Sequence, residues 1–67
     1  MKVYKVQYKD EDNYTNVILV ASNNEKEAIY TAGKNDYNCH SYDLKIELLD
    51  GLYCYFNTPK IIDNSDY

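Results

Sequence analysis

The sequence predicts an α+β fold with the element order ββαββ, in which a four-stranded, mostly antiparallel sheet carries one helix on one face. Three observations lead to this prediction. The only good helix signal lies near the middle of the chain, over residues 22–33. Alternating apolar and polar residues, typical of half-buried strands, precede it over 2–9 and 15–21 and follow it over 43–56. The length of 67 residues is enough for one small domain.

The helix signal begins with a capping box. Ser22 is followed three residues later by Glu25, so each side chain can accept a hydrogen bond from the other residue's backbone N–H. Ile29 is the only large aliphatic residue on the apolar face, which otherwise consists of alanines. Gly33 can adopt the left-handed backbone conformation that commonly ends a helix. We therefore expect a helix from about residue 23 to residue 33, against which the strands pack.

The first two strands are expected to form a hairpin whose turn decides which side chains reach the core. Asp12 and Asn13 tolerate a bend and are expected at its tip. Ile18 and Val20 then lie on the sheet face away from the helix, which we call the reverse face. The pairs expected to share the core face are Tyr8–Val17, Val6–Leu19 and Tyr4–Ala21.

A second hairpin is predicted after the helix. Asp50-Gly51 is the strongest turn signal in the chain, because this dipeptide suits a two-residue primed turn. It would join a strand over residues 43–49 to a returning strand over 52–56. The residues then expected on the reverse face are Leu49, Leu52, Cys54 and Phe56, and those expected under the helix include Tyr53 and Tyr55.

The simplest topology places the first and third strands side by side in the centre. The strand order is then 2-1-3-4, with an ordered core over about residues 2–58 and a frayed tail over 59–67. An alternative keeps three firm strands and leaves residues 52–56 as a loose edge. In both arrangements residues 1–67 form a single domain.

An apolar patch is expected on the reverse face, and such patches usually mark an interface with a partner or a second copy. An equally open alternative is that Ile61 and Ile62 fold back over the patch as a lid. A bulge in the last strand would also swap its faces and remove the patch. The residues predicted to form the patch are Ile18, Val20, Leu49, Leu52 and Phe56.

The chain is acidic. Seven lysines and no arginine stand against eleven Asp and Glu residues, which gives a formal net charge of -4 and a pI of about 4.6. This balance argues against direct binding to nucleic acid, whose affinity depends largely on basic contacts to phosphate. It favours a basic protein partner, because carboxylates on a small rigid scaffold can imitate a row of phosphates. The acidic residues predicted to contact such a partner are Asp10, Glu11, Asp12, Glu25, Glu27 and Asp36.

Residues suited to catalysis or metal binding are few. Cys39, His40 and Cys54 offer three ligands at a spacing that matches no zinc pattern, with Asp43 as a remote fourth. Neighbours in sequence such as Cys39 and His40 rarely face each other as a nucleophile and its base. We therefore predict a protein that is not an enzyme and has no cofactor. Two cysteines, with no signal peptide or membrane-spanning run, predict a cytoplasmic protein with free thiols.

The order of these patterns resembles a known class of proteins. Val3-Tyr4-Lys5-Val6, then residues 17–22, then Glu25-Lys26-Glu27-Ala28-Ile29 look like the small acidic sheet-plus-helix proteins of phages and mobile elements, including anti-CRISPR proteins. This resemblance implies a binding protein that blocks a larger nuclease or defence complex of a bacterial host. It carries over no site residue, because these inhibitors share no site motif. The alternative is a structural or regulatory homodimer joined through the reverse face.

Overall fold

The computed structural model describes residues 1–35, 39 and 44–66, with the backbone alone for 63–66. Within these residues, four strands and one helix follow one another in the predicted order ββαββ, so the α+β class is confirmed. The strands form one sheet in the order β3-β1-β2-β4, and all neighbours are antiparallel. The helix lies over β1 and β2 at the centre of this sheet. The elements are β1 (Lys2–Lys9), β2 (Thr15–Ser22), α1 (Glu25–Asn35), β3 (Lys45–Tyr53) and β4 (Lys60–Asp66).

The register of the first hairpin differs by one residue from the predicted one. Val6 pairs with Ile18, and Lys9 pairs with Thr15 across a loop of residues 10–14. Because a one-residue shift turns every side chain of a strand to the other face, Ile18 and Val20 point towards the helix and are fully buried. Their predicted place on the reverse face was therefore wrong.

The core consists of one row of side chains from each central strand, covered by the helix face that carries small residues. Tyrosine rings of β1 lie beside β-branched residues of β2, and two alanines let the helix approach closely. Leu44, Ile46 and Ile61 pack against the edges of this cluster. Its buried members are Tyr4, Val6, Tyr8, Ile18, Val20, Ala28, Ala32 and Cys39.

The second predicted hairpin is absent, because β3 continues through Asp50 and Gly51 as one strand. Gly51 has a φ of 86°, and it belongs to a wide bulge. Tyr4 pairs with Leu48 and Lys2 pairs with Tyr53, so residues 49–52 lie opposite the single residue Val3. A backbone that leaves the ladder in this way needs a residue free to adopt positive φ, which glycine supplies at little cost.

The fourth strand comes from the segment expected to fray. Residues 60–66 pair with the outer edge of β2, and the chain reaches them by crossing the sheet end over residues 54–59. The prediction that β1 lies between β2 and β3 is confirmed, whereas the identity and edge of the fourth strand were wrong. Ile61 packs against the core, so it does not form a lid on the reverse face.

The helix begins and ends two residues later than predicted. Asn24 Oδ1 accepts the backbone N–H of Glu27 at 2.8 Å, and Glu27 Oε1 accepts the backbone N–H of Asn23 at 3.3 Å. The bond from Glu27 satisfies an N–H group that a helix start leaves unpaired, so the capping residue is Asn24 and not Ser22 as predicted. Gly33 lies inside the helix without positive φ, so its predicted role as the left-handed end was wrong.

Candidate binding surfaces

The acidic loop between β1 and β2 is built around Asp10. Asp10 Oδ1 accepts the N–H groups of Asp12 at 2.9 Å and Tyr14 at 3.0 Å, and Oδ2 accepts Asn16 Nδ2 at 3.0 Å. The bond from Asn16, followed by that from Tyr14, holds the pKa of Asp10 below its ordinary value of 3.8. The carboxylate of Asp10 is therefore used in hydrogen bonds within the loop, whereas Glu11 and Asp12 present exposed carboxylates.

Of the two acidic residues at the helix start, one is used in hydrogen bonds and the other is exposed. Glu27 is half-buried and its carboxylate accepts both the backbone N–H and the Nδ2–H of Asn23 at 3.3 Å. Glu25 is exposed in the first turn, where the helix dipole favours negative charge. Asp36, the sixth predicted acidic contact, lies outside the described residues.

The structure does not bring the acidic residues into one row. The tip loop lies between Lys9 and Thr15, whereas the helix start follows Ser22, which pairs with Lys2 at the opposite end of the sheet. Seven steps of about 3.3 Å separate these ends by about 23 Å along the strands. The five predicted acidic residues that the structure describes therefore form two groups, one at each end of the sheet.

Exposed apolar side chains are concentrated in the segment where the chain leaves β3, and we call this segment's surface the aromatic surface. It consists of Leu52, Tyr53, Tyr55 and Phe56, which are 52%, 60%, 91% and 37% exposed. The rings of Tyr53 and Tyr55 meet edge to face, with their centroids 4.9 Å apart. Lys60 Nζ lies 4.9 Å from the centroid of the Phe56 ring, a cation–π contact.

The backbone around the aromatic surface is anchored to the start of the chain. The N–H of Cys54 donates to the carbonyl of Met1 at 2.8 Å, and the amino group of Met1 donates to the carbonyl of Cys54. A shallow depression of about 420 Å³ lies there, between the aromatic rings and the helix start. Its lining residues are Met1, Asn23, Tyr53, Tyr55, Phe56 and Asn57.

The predicted apolar patch is only partly present. Leu52 and Phe56 are exposed, Leu49 is half-buried in the bulge, and Ile18 and Val20 lie in the core. Tyr53 and Tyr55 were expected under the helix because a hairpin at Asp50-Gly51 would have turned them there, and that prediction was wrong. The signal that could have revealed them is the run Leu52 to Phe56, which has more large apolar residues than one buried face can use.

The two thiols occupy different environments. Cys39 is fully buried in the core cluster, and Cys54 is half-buried beside Met1; both are free of disulfides. Among the residues that the structure describes, no group of three or more His, Cys, Asp or Glu side chains could hold a metal ion. His40 and Asp43, the other weighed ligands, lie outside the described residues.

Comparison with known proteins adds no relative. No family model matches the chain. No curated protein and no solved structure matches it either. Within the described part of the chain, no helix is long and apolar enough to cross a membrane.

Proposed function

We propose that this chain is a non-catalytic binding protein that attaches to a larger protein through the aromatic surface. The observation that carries the proposal is the exposure of four large side chains, Leu52, Tyr53, Tyr55 and Phe56, in one short segment. Tyrosine and phenylalanine are enriched at the centres of protein interfaces. A chain of this size has little apolar material beyond its core, so an exposed cluster of this kind favours a role in contact.

The helix start supplies the polar border of this contact surface. Asn23 lines the depression beside Tyr53 and Tyr55, and Glu27 holds Asn23 through two hydrogen bonds of 3.3 Å. Glu25 adds an exposed carboxylate in the same turn. An apolar centre with a polar, partly charged border is the usual anatomy of a protein interface.

We further propose that the target is a basic, nucleic-acid-processing defence protein of a bacterial host, such as a CRISPR effector nuclease, which the chain inhibits by surface contact in the host cytoplasm. The net charge of -4 supports a basic target. The resemblance to anti-CRISPR proteins supports the class of target. Glu11 and Asp12, at the far end from the aromatic surface, would then speed the encounter more than they hold the complex, because rim charges act mainly on association rates.

The test compares two exposed tyrosines at opposite ends of the molecule. Tyr55 is 91% exposed in the aromatic surface, and Tyr14 is 68% exposed beside the acidic tip. We expect Tyr55→Ser to weaken capture of the target from a bacterial lysate by about tenfold or more, as for an interface hot spot. Tyr14→Ser is the matched control, and it should capture the target like the unmodified chain.

Two results would contradict the proposal. If the unmodified chain recovers no nuclease or defence protein from lysates of bacteria that carry such systems, the proposed target class is wrong. If Tyr55→Ser and Tyr14→Ser capture the same protein equally well, the aromatic surface is not the contact site. A cleavage assay with the captured nuclease then checks inhibition, which should be lost with Tyr55→Ser and retained with Tyr14→Ser.

A further inference from the structure

One edge of the sheet carries a sequence that is complementary to itself. Among the described strands, β3 lies at one edge of the sheet, with β1 on its inner side. The chain from Leu44 to Leu48 reads apolar, basic, apolar, acidic, apolar. An exposed strand edge offers unpaired N–H and C=O groups, and natural proteins usually block such an edge or use it.

We propose that this edge pairs with the same edge of a second copy of the chain, antiparallel, about a twofold axis at Ile46. In this register Lys45 lies opposite Glu47 of the second copy, and Glu47 lies opposite Lys45 of the second copy. Leu44 lies opposite Leu48 of the second copy on the other side of the sheet. The two four-stranded sheets become one continuous sheet of eight strands, with both helices on the same face. This inference does not depend on the proposed function.

The side chains on each face suit this pairing. Ile46 pairs with Val6 and Leu48 pairs with Tyr4, so the apolar row of β3 continues the core face. Leu48 is 41% exposed in the single chain, and a neighbouring strand would cover part of it. Lys45 and Glu47 are exposed on the reverse face, and opposite charges directly across two strands stabilise their pairing.

Other registers are less favourable, which makes the register specific. A shift by two residues in one direction places Glu47 opposite Glu47 of the second copy. A shift by two residues in the other direction places Lys45 opposite Lys45 of the second copy. Like charges directly opposite each other destabilise a strand pair. A shift by one residue puts apolar side chains of one copy on the charged face of the other.

The bulge limits the size of the contact. Residues 49–52 leave the regular ladder, so the paired segment is about five residues on each copy. Contacts that bury less than about 1,200 Å² are typical of weak complexes, so we expect a dimer that dissociates on dilution. The paired segment ends at Leu48, so it contains none of the residues of the aromatic surface, which begins at Leu52.

The decisive experiment exchanges charge between two versions of the chain. Lys45→Glu leaves two acidic side chains in the paired segment, and Glu47→Lys leaves two basic ones. We expect each variant alone to be monomeric by sedimentation velocity from about 10 µM to about 1 mM, the range in which weak interfaces are measured. An equimolar mixture of the two should form a heterodimer, because each acidic side chain then faces a basic one.

The controls separate charge at the edge from charge in general. Lys26→Glu and Glu11→Lys make the same changes at exposed positions on the helix and the tip loop, and they should dimerise like the unmodified chain. Thermal unfolding of every variant checks folding, since Glu47 also lies opposite Lys5 within one chain. Backbone NMR of the unmodified chain adds a second readout, in which dilution should shift amides of residues 44–48 more than those of the aromatic surface.

Three results would overturn the proposal. One is an unmodified chain that stays monomeric to the highest concentration. Another is a mixture of folded Lys45→Glu and Glu47→Lys chains that associates no better than either alone. The third is a dimer that survives both substitutions but dissociates with Tyr55→Ser, which would place the contact on the aromatic surface instead.

Discussion

Ile18 and Leu19 are neighbours in β2, but they face opposite sides of the sheet. Ile18 is fully buried against the helix, and Leu19 is half-exposed on the reverse face. We expect Ile18→Ala to lower the free energy of unfolding by about 3 kcal/mol, because it leaves a cavity in a packed core. Leu19→Ala should cost about 1 kcal/mol, because much of the removed surface already meets water. Urea denaturation measures both, and a larger loss for Leu19→Ala would contradict the register described here.

Asp10 should make the tip loop sensitive to acid. Its pKa is lowered in the folded chain, first by Asn16 and then by the N–H of Tyr14. A carboxylate with a lowered folded pKa contributes its stability above the unfolded pKa and loses it as the pH falls through the folded value. Amide shifts of Asp12 and Tyr14, followed by NMR between about pH 2 and pH 6, should therefore report a pKa below 3.8. Asp10→Asn should remove this transition, and its persistence in that variant would assign it to another group.

The same loop explains why the residues of the core were predicted only in part. Alternation in β1 was enough to place Tyr4, Val6 and Tyr8 correctly on one face. Their partners depended on whether the loop had an even or an odd number of residues. The bonds of Asp10 hold a loop of five residues with Asn13 at a φ of 67°, and this odd number shifts β2 by one. That choice rests on side-chain hydrogen bonds, which alternation does not reveal.

The start of the helix depends on a single amide side chain. Asn24→Ala removes the acceptor for the N–H of Glu27 and should cost about 1 kcal/mol of stability. Asn24→Asp keeps an acceptor oxygen at a position that favours negative charge, so it should match or slightly exceed the unmodified chain. Thermal unfolding of the two variants measures this contrast, and an equal loss for both would show that the bond from Asn24 contributes little.

Gly51 makes the bulge of β3 possible, and the requirement is one of backbone conformation. Among the described residues other than Gly51 and its two neighbours, no heavy atom lies within 4 Å of where a Cβ would stand, so an added methyl group meets open space. Gly51→Ala should still cost about 1–2 kcal/mol, because the φ of 86° strains an L-residue. Gly51→Asn should cost less, since asparagine tolerates positive φ better than alanine. Chemical denaturation orders the three chains, and an Ala variant as stable as the unmodified chain would mean that the bulge relaxes.

The Asp50-Gly51 pair shows that a local turn signal predicts a backbone conformation but not the structure in which that conformation is used. It correctly indicates a residue with positive φ at Gly51. A hairpin and a bulge both contain such a residue, and which of them forms depends on the strand that pairs with the segment after Gly51. Here Met1 and Lys2 pair with Cys54 and Tyr53, which keeps the chain running along β1 after the bulge. This long-range pairing, absent from any local pattern, is what leaves Tyr53 and Tyr55 exposed.

At the scale of the whole molecule, competition between two segments of the chain decides which edge of the sheet the last strand pairs with. Two segments, 52–56 and 60–66, could each pair with an open edge of the three-stranded sheet. Pairing along β2 puts Ile61 against Val20 and adds a strand beside the most apolar part of the sheet. Residues 52–56 then stay beside the start of β1 and do not fold back as a returning strand, and they carry the aromatic surface. The fold class follows from local signals, whereas the candidate contact site follows from a choice between two distant pairings.

Because β4 completes the sheet beside β2, residues 60–66 should be required for folding. A chain that ends at Pro59 loses the burial of Ile61 and leaves the outer edge of β2 without its partner from Asn16 to Ala21. Domains of this length have a total stability of about 3–10 kcal/mol, and the lost Ile61 side chain alone contributes about 2 kcal/mol. We therefore expect the shortened chain to be largely unfolded or aggregated at 25 °C by far-UV circular dichroism and light scattering.

Two point substitutions in the full chain separate the contribution of this strand from the effect of shortening. Ile61→Ala should lower the free energy of unfolding by about 2 kcal/mol, because Ile61 packs on the core. Ile62→Ala should cost less than about 1 kcal/mol, because Ile62 is 41% exposed. If the shortened chain unfolds at the same temperature as the full chain, or if the two substitutions cost the same, β4 is not part of the cooperative fold. The stable three-stranded unit would then have to bury Ile18 and Val20 without a neighbour on that edge.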